Sequence, residues 1–143
     1  MQQAAARFAD YLSRNRLRMT RERRVILEQV LAVGKHFDVD DLLVHMRNGG
    51  LRASRATLYR TLAHLVDSGM VHKVEMAKGQ ARYEPMLGRH HHDHLVCLKC
   101  GEIIEFESPE VERIQEEVCR RKRFTMTGHT HQIRGYCRRC SSR

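Results

Sequence analysis

Before residue 70 the apolar positions fall into four stripes of helical period. Phe8, Tyr11 and Leu12 share one face of a helix predicted over residues 3–15. Thr20 is a good N-cap, and behind it Ile26, Leu27, Val30 and Leu31 form a second stripe that Gly34 stops. Asp38, with Asp41 three residues on, can cap a third helix; Leu42, Leu43 and Met46 face its core, and Gly49-Gly50 ends it. Ser54 can cap a fourth, in which Leu58, Leu62 and Leu65 form the stripe and Gly69 closes it. Two short extended segments follow, about 71–76 and 80–84, around Lys78-Gly79. Three helices, a capped fourth and a two-stranded ribbon are the order of a winged helix-turn-helix, with the ribbon as the wing.

The pattern changes near Gly88-Arg89. Residues 92–98 read as a strand, Cys97-Leu98-Lys99-Cys100-Gly101 as a tight knuckle and 102–107 as the returning strand. Ser108-Pro109-Glu110 opens a helix, with Ser as cap, Pro at the first position and Glu near the positive end. Val111, Ile114 and Val118 are expected to be its buried stripe, with Cys119 flanking them as a buried, inert thiol. A last strand, about 129–136, runs into Cys137-Arg138-Arg139-Cys140. Two domains are expected, 1–88 and 89–143. At 143 residues neither half is expected to bury a large core alone, so a second source of stability is expected: a metal, a partner subunit or both.

Charge adds a partner. The chain carries 26 Lys and Arg, mostly Arg, against 17 acidic residues, a net charge of +9. Residues 1–88 hold +6 of this and residues 89–143 hold +3. Nucleic acid is the leading inference. On the fourth helix, opposite the leucine stripe, lie Arg55, Thr57, Tyr59, Arg60 and His64, side chains suited to phosphates, guanine edges and thymine methyl groups. Arg18, ahead of the second helix, can reach an adjacent narrow minor groove. No signal peptide and no apolar run near the ~20 residues of a membrane span is present, so a cytoplasmic protein without a membrane partner is expected.

All five cysteines and six of the ten histidines lie after residue 88. Cys97-x-x-Cys100 and Cys137-x-x-Cys140, each at a strand end, form a structural-zinc signal, because Zn²⁺ takes four thiolates tetrahedrally. A thioredoxin-like redox pair would need a βαβ context that is absent. In His90-His91-His92-Asp93-His94, strand alternation points His92 and His94 one way and His91 and Asp93 the other. One strand can therefore feed two metal sites. Candidates for the remaining ligands are His36, Glu84, Glu105, Glu112, His129 and His131. Imidazole and carboxylate sites accept Fe²⁺, Mn²⁺, Co²⁺ or Zn²⁺.

From about Leu17 to Cys140 the chain resembles the ferric uptake regulator (Fur) family. The likeness rests on Arg55-Ala-Thr-Leu-Tyr-Arg60, the run from His90 to Gly101, Glu105-Phe106 and Gly135-Tyr-Cys-Arg-Arg-Cys140. It implies an α+β fold, with a winged-helix DNA-binding domain followed by a small α/β dimerisation domain carrying a three-stranded sheet and a four-cysteine zinc site. It implies structural zinc on Cys97, Cys100, Cys137 and Cys140. It further implies a regulatory site of His36, Glu84, His92 and His94, with Glu105 an occasional further ligand. A third site would use His91, Asp93, Glu112 and His129. Tyr59 and Arg60 match DNA contacts of the recognition helix, and Arg18 a minor-groove contact. The implied activity is metal-dependent repression through A·T-rich inverted repeats, bound as a homodimer or higher oligomer. Glu84 and Glu105 stand where the peroxide-sensing branch often has Asp, and the regulatory set lacks the Cys of zinc sensors. Iron is thus the favoured effector, with zinc, manganese and peroxide sensing as alternatives within the family. A zinc-dependent hydrolase is disfavoured, since no His-Glu-x-x-His helix or nucleophile motif occurs. So is an RNA-binding zinc ribbon, given only four Phe and four Tyr.

Overall fold

Side-chain caps set where the helices begin. Thr20 Oγ1 accepts from Arg23 N at 3.2 Å at the start of α2 (Arg21–Val33). Asp38 and Asp41 cap reciprocally at the start of α3 (Val39–Asn48), at 2.8 and 3.1 Å. Ser54 Oγ accepts from Thr57 N at 3.1 Å ahead of α4 (Arg55–Asp67). Ser108 does the same for Val111 N at 3.4 Å ahead of α5 (Pro109–Arg121). The first helix, α1, spans Gln2–Arg14, and Arg16 just beyond it adopts a left-handed φ of 57°. Gly34 ends α2 at φ 65°, a conformation that costs a side chain dearly.

The computed structural model describes residues 1–34, 36–88 and 91–141; Arg89, at the expected domain boundary, and His90 lie outside the described residues. The chain divides into two compact units, Met1–Glu75 with Gly79–Arg89 and Met76–Lys78 with His90–Arg143. In the first, α1–α4 enclose one apolar cluster that includes Phe8, Leu12, Ile26, Leu42, Leu58 and Leu62. The strands β1 (Val71–Glu75) and β2 (Ala81–Pro85) pair antiparallel, joined through a 3₁₀ turn at Ala77–Gly79. This is the expected wing. An unanticipated feature widens it: Phe37 and Tyr83 exchange backbone hydrogen bonds of 3.0 and 2.7 Å, forming a bridge next to β2.

The second unit holds a three-stranded sheet in the order β4-β3-β5. β3 (Asp93–Cys97) pairs antiparallel with β4 (Ile103–Phe106) and parallel with β5 (Gln132–Gly135). α5 is the crossover between the parallel strands, and a short α6 (Arg138–Ser141) carries Cys140, the second cysteine of the last knuckle. All three strands are shorter than their predicted spans; residues 129–131 stand before β5 rather than in it.

One expectation is corrected. The α5 stripe is not buried: Ile114 and Val118 are 53 and 51 % exposed, α5 has no buried residue, and Cys119 is only partly covered. Periodicity reports that a helix has an apolar face; it does not say whether the same chain covers that face. A matching apolar row crosses the sheet, where Leu95 lies between its register partners Ile104 and Ile133, both nearly half exposed. Among the described residues, no helix is long and apolar enough to cross a membrane.

Candidate metal centres and DNA-binding face

The two knuckles meet because β3 and β5 are parallel neighbours, with Cys97 in register with Gly135. Gly101, at φ 72°, turns the first knuckle, and its N–H bonds Cys97 O at 3.0 Å. One sulfur from each of Cys97, Cys100, Cys137 and Cys140 lies within 4.8 Å of all the others. Cys100 Sγ and Cys137 Sγ are 3.7 Å apart, and all four are free thiols. Backbone N–H groups of Cys100 and Cys137 pull the Cys97 thiol down to about 6. Burial, then the adjacent thiols, pushes Cys140 up to about 12. Glu102, which the sequence did not flag, holds the Cys137 thiol up and is itself held down by that thiol and by Arg139, 3.3 Å away. Four crowded sulfurs with opposed proton affinities form a donor set that a soft divalent cation satisfies all at once.

A second cluster lies in the same unit. One donor atom from each of His91, Asp93, Glu112 and His129 falls within 4.8 Å of the rest. His91 Nε2 is 3.4 Å from both Asp93 Oδ1 and Glu112 Oε1, and His129 Nε2 is 3.1 Å from Glu112 Oε1. The two imidazoles meet edge to face, 4.4 Å between centroids. Asp93 Oδ1 and His129 Nε2 are buried, yet neither makes a hydrogen bond among the described residues. Unbonded polar atoms at these separations fit ligands of one ion, since two donors each ~2.1 Å from a metal stand about 3.0–3.4 Å apart.

The remaining candidates form two sets, one in each unit. In the first, the Phe37–Tyr83 bridge places the next residues, His36 and Glu84, beside each other. His36 Nε2 is 3.3 Å from Glu84 Oε2, and Glu84 is fully buried. In the second, the rings of His92 and His94 stand 5.0 Å apart, both buried, and His92 Nε2 is 3.9 Å from Glu105 Oε2. Glu105 is the β4 register partner of His94. His92 and His94 therefore gather with Glu105, and His91 and Asp93 with Glu112 and His129.

On α4, Leu58, Leu62 and Leu65 are buried while Tyr59 and Arg60 are exposed. Arg18 is exposed ahead of α2, with its carbonyl accepting from the Arg23 guanidinium. Three other residues of the predicted face are engaged within the unit. Arg55 is paired with Asp40 on α3, Thr57 lies in the helix cap with its hydroxyl 2.9 Å from Ser54 Oγ, and His64 leans on Tyr11. Asp40 was not anticipated, because its pairing with Arg55 joins positions 15 residues apart on different helices.

Residues 14–134 match the ferric uptake regulator family. The chain is 33 % identical over 138 residues to the ferric uptake regulation protein of Campylobacter jejuni, covering 95 % of this chain and 87 % of that one. Its fold is similar to the Helicobacter pylori ferric uptake regulator, whose structure is described as revealing three functional metal binding sites (TM-score 0.74, 27 % identity, 98 and 93 % of the two chains). It is also similar to the Pseudomonas aeruginosa regulator solved with manganese (TM-score 0.75, 27 % identity, 89 and 95 % covered). The chain belongs to the ferric uptake regulator family.

Proposed function

We propose that this chain is an iron-responsive repressor that binds A·T-rich inverted-repeat operators as a homodimer in the cytoplasm. As a member of its family it is a metal-responsive transcriptional regulator and not an enzyme. In this reading zinc is held by Cys97, Cys100, Cys137 and Cys140, where a closed thiolate cage supplies stability. The effector is Fe²⁺, for which Mn²⁺, Co²⁺ or Zn²⁺ can substitute. It takes His36 and Glu84 from residues 1–88 and His92 and His94 from residues 89–143, with Glu105 as a further donor. His91, Asp93, Glu112 and His129 form a third site.

The observation that carries the reading is the sorting of residues 91–94, in which successive side chains join different donor groups while the thiols form their own. An imidazole and carboxylate set without sulfur suits ferrous or manganous ions. The Pseudomonas aeruginosa relative solved with manganese supports the same ion class. Tyr59 and Arg60 are proposed to read the major groove. Pairing through the apolar row of Leu95, Ile104 and Ile133 and the uncovered α5 face gives the dimer that an inverted repeat requires. An ion that needs donors from both halves of the chain restricts the angle between the two DNA-binding domains, and it favours the angle it binds better.

The test is operator affinity under anaerobic conditions, with and without Fe²⁺ or Mn²⁺. Wild type should gain about 5–150-fold on metal addition, a coupling of about 1–3 kcal/mol. Glu84→Ala should lose that gain while keeping its thiolate-bound zinc, and His91→Ala should retain it. A Glu84→Ala variant with the full metal response would refute the assignment of the effector site.

A further inference from the structure

The cluster of His91, Asp93, Glu112 and His129 has a neighbour that it does not use. His131 Nδ1 lies 3.5 Å from Asp93 Oδ2, while His91 Nε2 faces the other oxygen, Oδ1, at 3.4 Å. Asp93, 2 % exposed, is thus flanked by an imidazole on each oxygen. His131 Nδ1 and Asp93 Oδ1 are both buried, and neither makes a hydrogen bond among the described residues. His131 is not one of the side chains that converge within 4.8 Å, so its place is beside the donor set and not in it.

The main chain fixes this placement. His131 O accepts from His94 N at 3.3 Å, the residue after Asp93, and the register continues with His94 opposite Gln132. Phe106, the β4 partner of Asp93, backs the imidazole edge-on at 5.9 Å between centroids. His129 and His131 therefore approach the region of Asp93 with separate roles. His129 converges with Glu112 and meets His91 edge to face, whereas His131 addresses the far oxygen of Asp93.

We propose that His131 is a positioning residue for the third metal site: when the ion binds, its Nδ1–H, now unbonded 3.5 Å from Asp93 Oδ2, closes onto that oxygen and leaves Oδ1 as the single oxygen presented to the ion. The inference rests on reading this cluster as a metal site. A carboxylate with one oxygen occupied by a donor coordinates through the other; without that donor it can rotate or offer both oxygens. Outer partners of this kind set the geometry and affinity of the ligands they hold, and losing one typically costs about 10–100-fold in metal affinity.

The test is a Co²⁺ titration of the full-length protein, purified with zinc on its thiolates and carrying Glu84→Ala to disable the effector set. Affinity and the visible d–d spectrum are both read. Adding His131→Leu, which keeps apolar bulk against Phe106, should weaken Co²⁺ binding about 10–100-fold and change the band shape. His131→Asn, whose side-chain amide N–H takes the place of Nδ1–H, should recover most of the affinity and the parent spectrum. A purely structural role would lower the melting temperature of the Co²⁺-free protein and would leave the spectrum of the bound ion unchanged. Parent affinity and spectrum in His131→Leu, or equal losses in the Leu and Asn variants, would overturn the proposal while leaving the site intact. Co²⁺ uptake that is absent, or indifferent to His91→Ala, would refute the metal site itself and the role of His131 with it.

Discussion

Removing zinc from the four thiols should melt the second unit and spare the first. The magnitude follows from where the apolar side chains lie. Every member of the main core cluster belongs to the first unit, whereas Val96 and Cys97 are the only buried apolar side chains among the described residues of the second. Burying a Val contributes about 1.5–3 kcal/mol. A structural zinc on such ligands contributes about 10–16 kcal/mol at neutral pH. The metal thus outweighs several-fold the core that one chain alone builds there, and its loss is comparable to the ~5–15 kcal/mol by which a typical domain is stable. The geometry agrees, because Cys97 ends β3 and its sulfur accepts from Cys137 N at 3.4 Å, so the knuckles clamp the end of the parallel β3–β5 pair. The assay is amide hydrogen exchange before and after stripping zinc with a strong chelator, with zinc loss verified by elemental analysis. Protection at Leu95, Val96 and Ile133 should collapse, while amides of α4 near Leu58 and Leu62 keep theirs. Cys97→Ser should behave in the same way. Undiminished protection in β3 after complete zinc loss, or simultaneous collapse of α4, would refute the argument.

Arg60→Ala and Tyr59→Ala should each abolish specific operator binding with unchanged zinc content, measured by fluorescence anisotropy. Arg55→Ala should cost less, because Asp40 already holds that guanidinium. Operator affinity should also fall steeply with salt as phosphate contacts release counterions; a flat response between low and moderate salt would count against DNA binding altogether. Zinc retention should depend on pH in a stated direction. The folded Cys97 thiol sits at about 6, below its ordinary value near 9, so its contribution is present above that ordinary value and is lost as pH falls through about 6. Zinc release to a chromophoric chelator should accelerate as pH falls, because protons compete with the ion for the four thiolates; a release rate that stays flat from neutral pH into the acid range would contradict it.

The helix starts were legible because each rests on a short-range cap: Thr20, Asp38, Ser54 and Ser108 all bond three residues ahead. The two-sided sorting of residues 91–94 was legible from alternation in an extended segment, although β3 itself begins only at Asp93. What escaped was non-local. The Phe37–Tyr83 bridge that brings His36 to Glu84 joins positions 46 residues apart in the chain, and no local pattern announces it. Arg55 reads as a free DNA contact until α3 brings Asp40 beside it. The α5 stripe was identified correctly as apolar and incorrectly as covered, because periodicity does not say which molecule buries a face. His131 was one histidine among several until β3–β5 pairing set it against Asp93.

The parallel register of β3 and β5 has a consequence for the order in which the molecule assembles. The first unit is built largely from helices whose hydrogen bonds close within a turn, and such local contacts form quickly. Cys97 and Cys137 are separated by 40 positions, with β4, α5 and β5 between them. Their meeting therefore carries a loop-closure cost before any contact repays it. In a refolding experiment the helices of the first unit should be in place while the sheet of the second is still searching for its partners. Zinc captured early by one knuckle would shorten that search, by holding two thiolates ready until the second pair arrives.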